Sequence, residues 1–149
     1  MIEIKEFNKN NQPTSSEKSE ISSFLYQNLE QYGDPQTAIE KAMDYALGKN
    51  GCLGGHIFVA EENGTITAAT VINKTGMNDY IPANILVYIA THKDFRGKGI
   101  GKQLMQTAIE NVEGDIALHV EPENPAKGLY EKLGFTNKYL EMRLIKEVK

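Results

Sequence analysis

The stretch Ile85-Leu86-Val87-Tyr88-Ile89-Ala90-Thr91-His92-Lys93-Asp94-Phe95-Arg96-Gly97-Lys98-Gly99-Ile100-Gly101-Lys102 passes from one kind of sequence to another without a break. Its first part, residues 85–90, is an almost unbroken apolar run, the pattern of a strand buried on both faces and placed at the centre of a sheet. Its last part alternates Gly97, Gly99 and Gly101 with Lys98, Ile100 and Lys102 behind Arg96. Glycines lack the Cβ atoms that would keep a ligand away, so backbone N–H groups can turn toward one point and an anion can come close. A helix follows, since Ile100, Leu104, Met105, Ala108, Ile109 and Val112 recur at helical spacing. Its N-terminus adds partial positive charge to the full charges of Arg96, Lys98 and Lys102. A diphosphate is the natural guest of such a loop; the plainer alternative is a glycine-rich turn with solvated basic side chains.

Two common phosphate-binding motifs fail on spacing. A Walker loop needs glycine five residues before Gly101, where Arg96 stands, and serine or threonine after Lys102, where Gln103 stands. A dinucleotide fingerprint beginning at Gly97 and Gly99 needs its third glycine at Lys102 and an early strand before it. The pattern that remains is R-x-x-G-x-G.

Upstream of this stretch, Ile2 and Ile4 alternate with charged residues as in a half-buried strand. Thr14 and Glu17 have capping-box spacing, and Ile21, Phe24, Leu25 and Leu29 continue a helix to about Gln31. Asp34-Pro35 places a capping carboxylate before a proline at the first position of a second helix, with Ala38, Ile39, Ala42, Met43, Ala46 and Leu47 as its apolar stripe. Residues 56–61 and 65–73 are β-branched-rich runs on either side of Asn63-Gly64, which predicts a hairpin. Downstream, 116–120 reads as a short strand, 126–133 as a short helix closed by Gly134, and 139–145 as a last strand. The order β-α-α-β-β-β-α-β-α-β predicts an α+β fold, a mixed and mostly antiparallel sheet flanked by helices. No repeat or low-complexity linker divides the chain, so residues 1–149 are expected to form a single domain.

Composition bounds the function. A net charge of −4 argues against nucleic-acid backbone binding and mildly favours a cationic substrate. No run approaches the roughly 18 apolar residues of a membrane span. One cysteine, Cys52, and a polar N-terminal stretch fit a cytoplasmic protein. His56, His92 and His119 lack zinc-site spacing, so no metal is expected.

The R-G-K-G-I-G core at residues 96–101 resembles the acyl-CoA pyrophosphate loop of the GNAT superfamily of N-acetyltransferases. Leu118-His119-Val120 followed by Asn124-Pro125-Ala126-Lys127-Gly128-Leu129-Tyr130-Glu131-Lys132-Leu133-Gly134-Phe135 is similar to the same superfamily's N-P-A-x-x-L-Y-E-K-x-G-F segment. The two blocks span residues 85–135, roughly a third of the chain.

The resemblance implies acetyl-CoA as co-substrate and a primary amine, small-molecule or peptide, as acceptor. It implies that strands at 85–91 and 116–120 splay apart, and that the pantetheine arm inserts between them like an added strand and bonds backbone groups near Ile89 and Thr91. The loop N–H groups from Gly97 to Lys102 take the pyrophosphate, and Asn124 bonds the pantetheine or acetyl region. Tyr130 falls where many members carry the phenol that protonates the departing thiolate. The amine must first lose its proton to attack the thioester. Some members place a glutamate early on the strand before the loop, where this chain has Asn84-Ile85-Leu86; Glu61, His119 and Glu121 are the remaining base candidates. The expected enzyme is a monomer or homodimer that attacks the thioester directly with the amine. The alternative is a non-catalytic acyl-CoA-binding or sensing module, favoured by the lack of an identifiable base.

Overall fold

The structure, a computed structural model, describes residues 1–146. These fall into two compact units, residues 1–118 and the segment from His119 onward. The first holds a five-stranded sheet in the order β1-β2-β3-β4-β5: β1 (Ile2–Phe7), β2 (Gly55–Glu62), β3 (Thr65–Lys74), β4 (Asn84–Thr91) and β5 (Ile116–Leu118). The first four strands pair antiparallel, and β5 runs parallel to β4. The sheet is mixed and mostly antiparallel, as the order of elements predicted.

Local chemistry accounts for most boundaries. The capping box forms at the start of α1 (Ser15–Leu29): the Glu17 N–H donates to Thr14 Oγ1 at 3.0 Å and the Thr14 N–H to Glu17 Oε1 at 2.9 Å. Asn63 and Gly64 take left-handed conformations (φ 52° and 78°) and close the β2–β3 hairpin. A short 3-10 turn, Glu30–Tyr32, leads from α1 toward α2 (Gln36–Ala46). At the start of α2 the sequence expectation fails. Pro35, with φ −55° and ψ 148°, occupies the cap position and no side chain caps the helix, so Asp34 is displaced from the role assigned to it.

Helices α1 and α2 lay Phe24, Leu25, Leu29, Ile39 and Met43 on one face of the sheet against Ile57, Val59, Val71, Tyr88 and Ala90. Helix α3 (Ile100–Asn111) buries Ile100, Leu104, Met105 and Ala108 and packs on β2, β3 and β4. Covered on both sides, β3 is buried from Ile66 to Asn73 and is the middle strand of the order. The apolar run of β4 had suggested that position for itself. Instead Ile85, Val87, Ile89 and Thr91 are only half-buried, and β5 pairs with β4 no further than Leu86.

A bulge interrupts β4. Leu86 lies opposite Ile72 and Tyr88 opposite Val71, so Val87 is an inserted residue. Val71 and Tyr88 belong to the α1/α2 core whereas Ile72 and Leu86 do not, so the insertion turns Tyr88 toward the helices.

The second unit contains α4 (Ala126–Lys132), shorter than the 126–133 expectation, followed by Gly134 with φ 102°. The strand expected at 139–145 is absent. Tyr139, Leu140, Met142, Leu144 and Ile145 are all exposed, and among the described residues the segment pairs with no strand. Strand propensity expresses itself only against a hydrogen-bonding neighbour. No helix among the described residues is long and apolar enough to cross a membrane.

Candidate active site

The glycine-rich loop leaves β4 through a 3-10 turn, Lys93–Phe95, fastened by His92, whose Nδ1 accepts from the Asp94 N–H at 3.1 Å. Gly97 and Gly99 follow with φ of 79° and 80°, the left-handed region that favours glycine. A Cβ built on either would meet no atom within 4 Å, so the chain's own packing does not require glycine there. What glycine provides is the backbone conformation and open space above the loop. Helix α3 begins at Ile100 rather than after Lys102, which places Gly101 and Lys102 in its first turn. It has no side-chain cap, and the N–H groups of Ile100, Gly101 and Lys102 have no acceptor among the described residues. Buried Ile100 anchors this uncapped end to the core. Unpaired donors at the positive end of a helix dipole, beside open space, suit an anionic group.

The basic residues divide in role. Arg96 is engaged by the protein: Nε donates to the Thr91 carbonyl at 3.1 Å, and Nη2 to the Asn28 carbonyl at 3.3 Å and to Glu30 Oε1 at 3.1 Å. It ties the loop to the end of α1. Lys98 extends over the Phe95 ring, its Nζ 5.2 Å from the centroid, and Lys102 is exposed. These two lysines, with the loop amides, are the groups left for a phosphate.

Beside the loop, β4 offers an open edge. On the β5 side only residues 84–86 are paired; past the bulge at Val87, residues 88–91, which contain Ile89 and Thr91, pair with β3 on their other side and, among the described residues, with no strand on this one. Asn84, the first residue of β4, is buried and structural. Its Nδ2 donates to the carbonyls of Glu113 at 2.7 Å and Asp115 at 3.2 Å. Glu61 pairs across the sheet with Lys5 at 3.0 Å, and His119 and Glu121 are exposed.

In the second unit, Asn124 accepts the Ala126 N–H on Oδ1 at 2.9 Å just ahead of α4, whose cap position is Pro125. Tyr130 is buried, edge-to-face with Phe135 at 5.9 Å between centroids. Burial disfavours its phenolate and pushes its pKa up to about 12. The hydroxyl therefore stays protonated throughout the neutral range. Because the folded chain holds this proton more tightly than the unfolded chain, the associated stability is complete below about pH 10 and lost as pH rises toward 12. The melting temperature of the wild type should accordingly fall more steeply between pH 10 and 12 than that of a Tyr130→Phe protein; parallel curves would show that the phenol is not held in its neutral form.

One pair escaped the sequence reading. The Tyr88 hydroxyl donates to Asp34 Oδ2 at 2.6 Å. Burial and the neighbouring carboxylate both raise the Tyr88 pKa. No local signal marks this pair, because it depends on the bulge at Val87 and on Asp34 being left free of α2. A polar cleft of about 640 Å³ runs along α1, lined by residues that include Ser19, Ser23, Asn28 and His92, and touches none of the loop's glycines.

A family model described as "Acetyltransferase (GNAT) domain" matches residues 53–137. No curated protein sequence matches the chain. Several solved structures share its fold at low identity. An aminoglycoside N-acetyltransferase in complex with CoA is 18% identical with a TM-score of 0.70, over 99% of this chain and 96% of that one. A ribosomal-protein-alanine N-acetyltransferase from Brucella melitensis is 16% identical with a TM-score of 0.65, over 98% of this chain and 100% of that one. A GNAT-family acetyltransferase from Streptococcus pneumoniae is 19% identical with a TM-score of 0.71, over 99% and 100%.

Proposed function

The chain belongs to the GNAT acetyltransferase superfamily, and from that premise we propose that it transfers the acetyl group of acetyl-CoA to a primary amine by direct attack of the amine on the thioester. The observation that carries this reading is the unpaired edge of β4 at residues 87–91, leading directly into an uncapped helix N-terminus behind two left-handed glycines. An extended amide-bearing arm ending in a diphosphate fits both parts, the arm on the strand edge and the diphosphate on the loop amides. Backbone groups near Ile89 and Thr91 would hold the arm. The N–H groups from Gly97 to Lys102, with Lys98 and Lys102, would hold the pyrophosphate, and the free amide group of Asn124 is available to the pantetheine or acetyl region. Arg96 would act mainly by fixing the loop's shape through Thr91, Asn28 and Glu30.

Acetyl-CoA supplies the activated acyl group; the chain supplies position and charge stabilisation. On this reading residues 1–149 would form a single N-acetyltransferase domain. Tyr130 would donate a hydrogen bond to the departing sulfur. A phenol with a pKa of about 12 is too weak an acid to surrender its proton outright to a thiolate whose thiol ionises near 8.5, so its contribution is stabilisation of developing charge. With Asn84 structural and Glu61 paired, the amine is best served by losing its proton to solvent, and the rate rests on holding the free amine against the thioester. Solved proteins of this fold include acetyltransferases named for an aminoglycoside and for a ribosomal-protein alanine, which is consistent with an amine acceptor.

The reading is tested by ligand-induced stabilisation. CoA at about a hundred times its dissociation constant should stabilise the protein by roughly 2.7 kcal/mol, raising the melting temperature by several degrees. ATP and NADH at the same concentration should not. Equal shifts from all three would reduce the loop to a generic phosphate site.

A further inference from the structure

The carboxylate of Asp34 occupies an unusual position. It is exposed, it does not cap α2, and among the described residues no cation pairs with it. It is nonetheless fixed, because the Tyr88 hydroxyl donates to one of its oxygens at 2.6 Å. Tyr88 comes from β4 just past the bulge, next to Ile89 on the strand's unpaired edge. The link between α1 and α2 runs alongside β4, with Glu30 meeting Arg96 at the loop end and Asp34 meeting Tyr88 at the bulge. A buried tyrosine needs a partner for its hydroxyl, but a backbone carbonyl would serve. Here the partner is an anion with its second oxygen unpartnered among the described residues, one tyrosine side chain away from the strand edge proposed to hold the acyl donor.

An anion in that place has a defined chemical preference. A carboxylate beside an ammonium stabilises the charged form and raises its pKa, which opposes the deprotonation an attacking amine needs. Asp34 is therefore suited to a cationic group other than the one that reacts. Its distance from β4, set by the tyrosine, also separates the two groups. The chain's net charge of −4 attracts such an acceptor in general; Asp34 gives the attraction a location.

We propose that Asp34, oriented by Tyr88, holds a second, non-reacting cationic group of the acceptor, so that the preferred substrates carry at least two amino groups. This rests on the acetyl-transfer reading for the position of the reacting amine, but the binding of the second cation can be measured without it.

The test compares 1,4-diaminobutane with butylamine, of equal carbon chain, on wild type, Asp34→Asn and Tyr88→Phe proteins whose melting temperatures establish that they are folded. Steady-state acetylation is measured together with equilibrium binding of each amine in the absence of acyl donor. Wild type should favour the diamine. Asp34→Asn should raise the KM and weaken the binding of the diamine by about 2- to 5-fold, the worth of one solvent-exposed charge pair, with kcat and the butylamine constants little changed. Tyr88→Phe, which keeps the charge but releases its orientation, should shift the same constants in the same direction by a smaller factor. Asp34→Asn constants that move equally for both amines, or for neither, would overturn the proposal while leaving acetyl transfer standing. Asp34-dependent diamine binding by a protein that acetylates neither amine would support the cation seat and sink the transfer reading. Absence of both binding and turnover with these two amines would overturn both.

Discussion

Replacing Tyr130 with phenylalanine should lower kcat by roughly 10²- to 10³-fold, the usual loss when one preorganised donor to developing negative charge is removed. The substitution keeps the ring against Phe135 and nearly all of the buried apolar area, so a tyrosine that only packs would lose about 1 kcal/mol of stability at most. CoA affinity should change little, since the hydroxyl acts when the C–S bond breaks. The deficit should shrink with an acyl donor whose thiol is more acidic, because a better leaving group needs less help. The raised pKa of about 12 adds a condition: the contribution of the hydroxyl to the rate should persist to about pH 11. Wild-type kcat in a stable Tyr130→Phe protein would remove Tyr130 from the chemistry.

The second large effect concerns Gly99. Valine there should weaken CoA binding by at least about 100-fold and abolish the CoA-induced melting shift, because a branched side chain would fill the space through which a pyrophosphate approaches the loop amides. Part of the damage would fall on the fold. Gly99 has φ 80°, and forcing an L-residue into the left-handed region costs roughly 1–2 kcal/mol. Affinity must therefore be measured on protein shown to be folded, and Gly99→Ala, with the same backbone cost and a smaller side chain, separates strain from obstruction. A Cβ at Gly99 meets no atom beyond its chain neighbours within 4 Å, so the alanine variant clashes with no packed neighbour. Unchanged CoA affinity in folded Gly99→Val would mean that the loop is only a turn.

The sequence was most informative where structure is local. Thr14 with Glu17 and Asn63 with Gly64 each form the arrangement their spacing predicts, because every partner lies within a few residues. It was least informative where the outcome depends on a distant neighbour. The apolar run at 85–90 is that of a central strand, yet the centre is β3, since β5 is too short to cover β4 beyond Leu86. Residues 139–145 have strand composition but no strand beside them among the described residues. Asp34 ahead of Pro35 has the form of a cap, but the proline takes the cap position and the carboxylate turns to Tyr88.

The candidate site followed the same division. The loop and its helix were legible in the sequence, with the helix starting at Ile100 rather than after Lys102. Charge and the R-x-x-G-x-G pattern single out Arg96, and only the fold reveals that Asn28 and Glu30, far away in sequence, engage it. The bulge at Val87 leaves no trace in residue type, although it decides which face Tyr88 presents. The Asp34–Tyr88 contact between the α1–α2 link and β4 was for that reason the least readable part.

The central claim is acetyl transfer to an amine, and mass spectrometry of the reaction products tests it most directly. With acetyl-CoA and a panel that includes 1,4-diaminobutane, the account predicts an acetylated amine appearing in one-to-one proportion with free CoA thiol, with both lost in Gly99→Val. Release of thiol without any acetylated amine, or no turnover in a protein that binds CoA tightly, would contradict it.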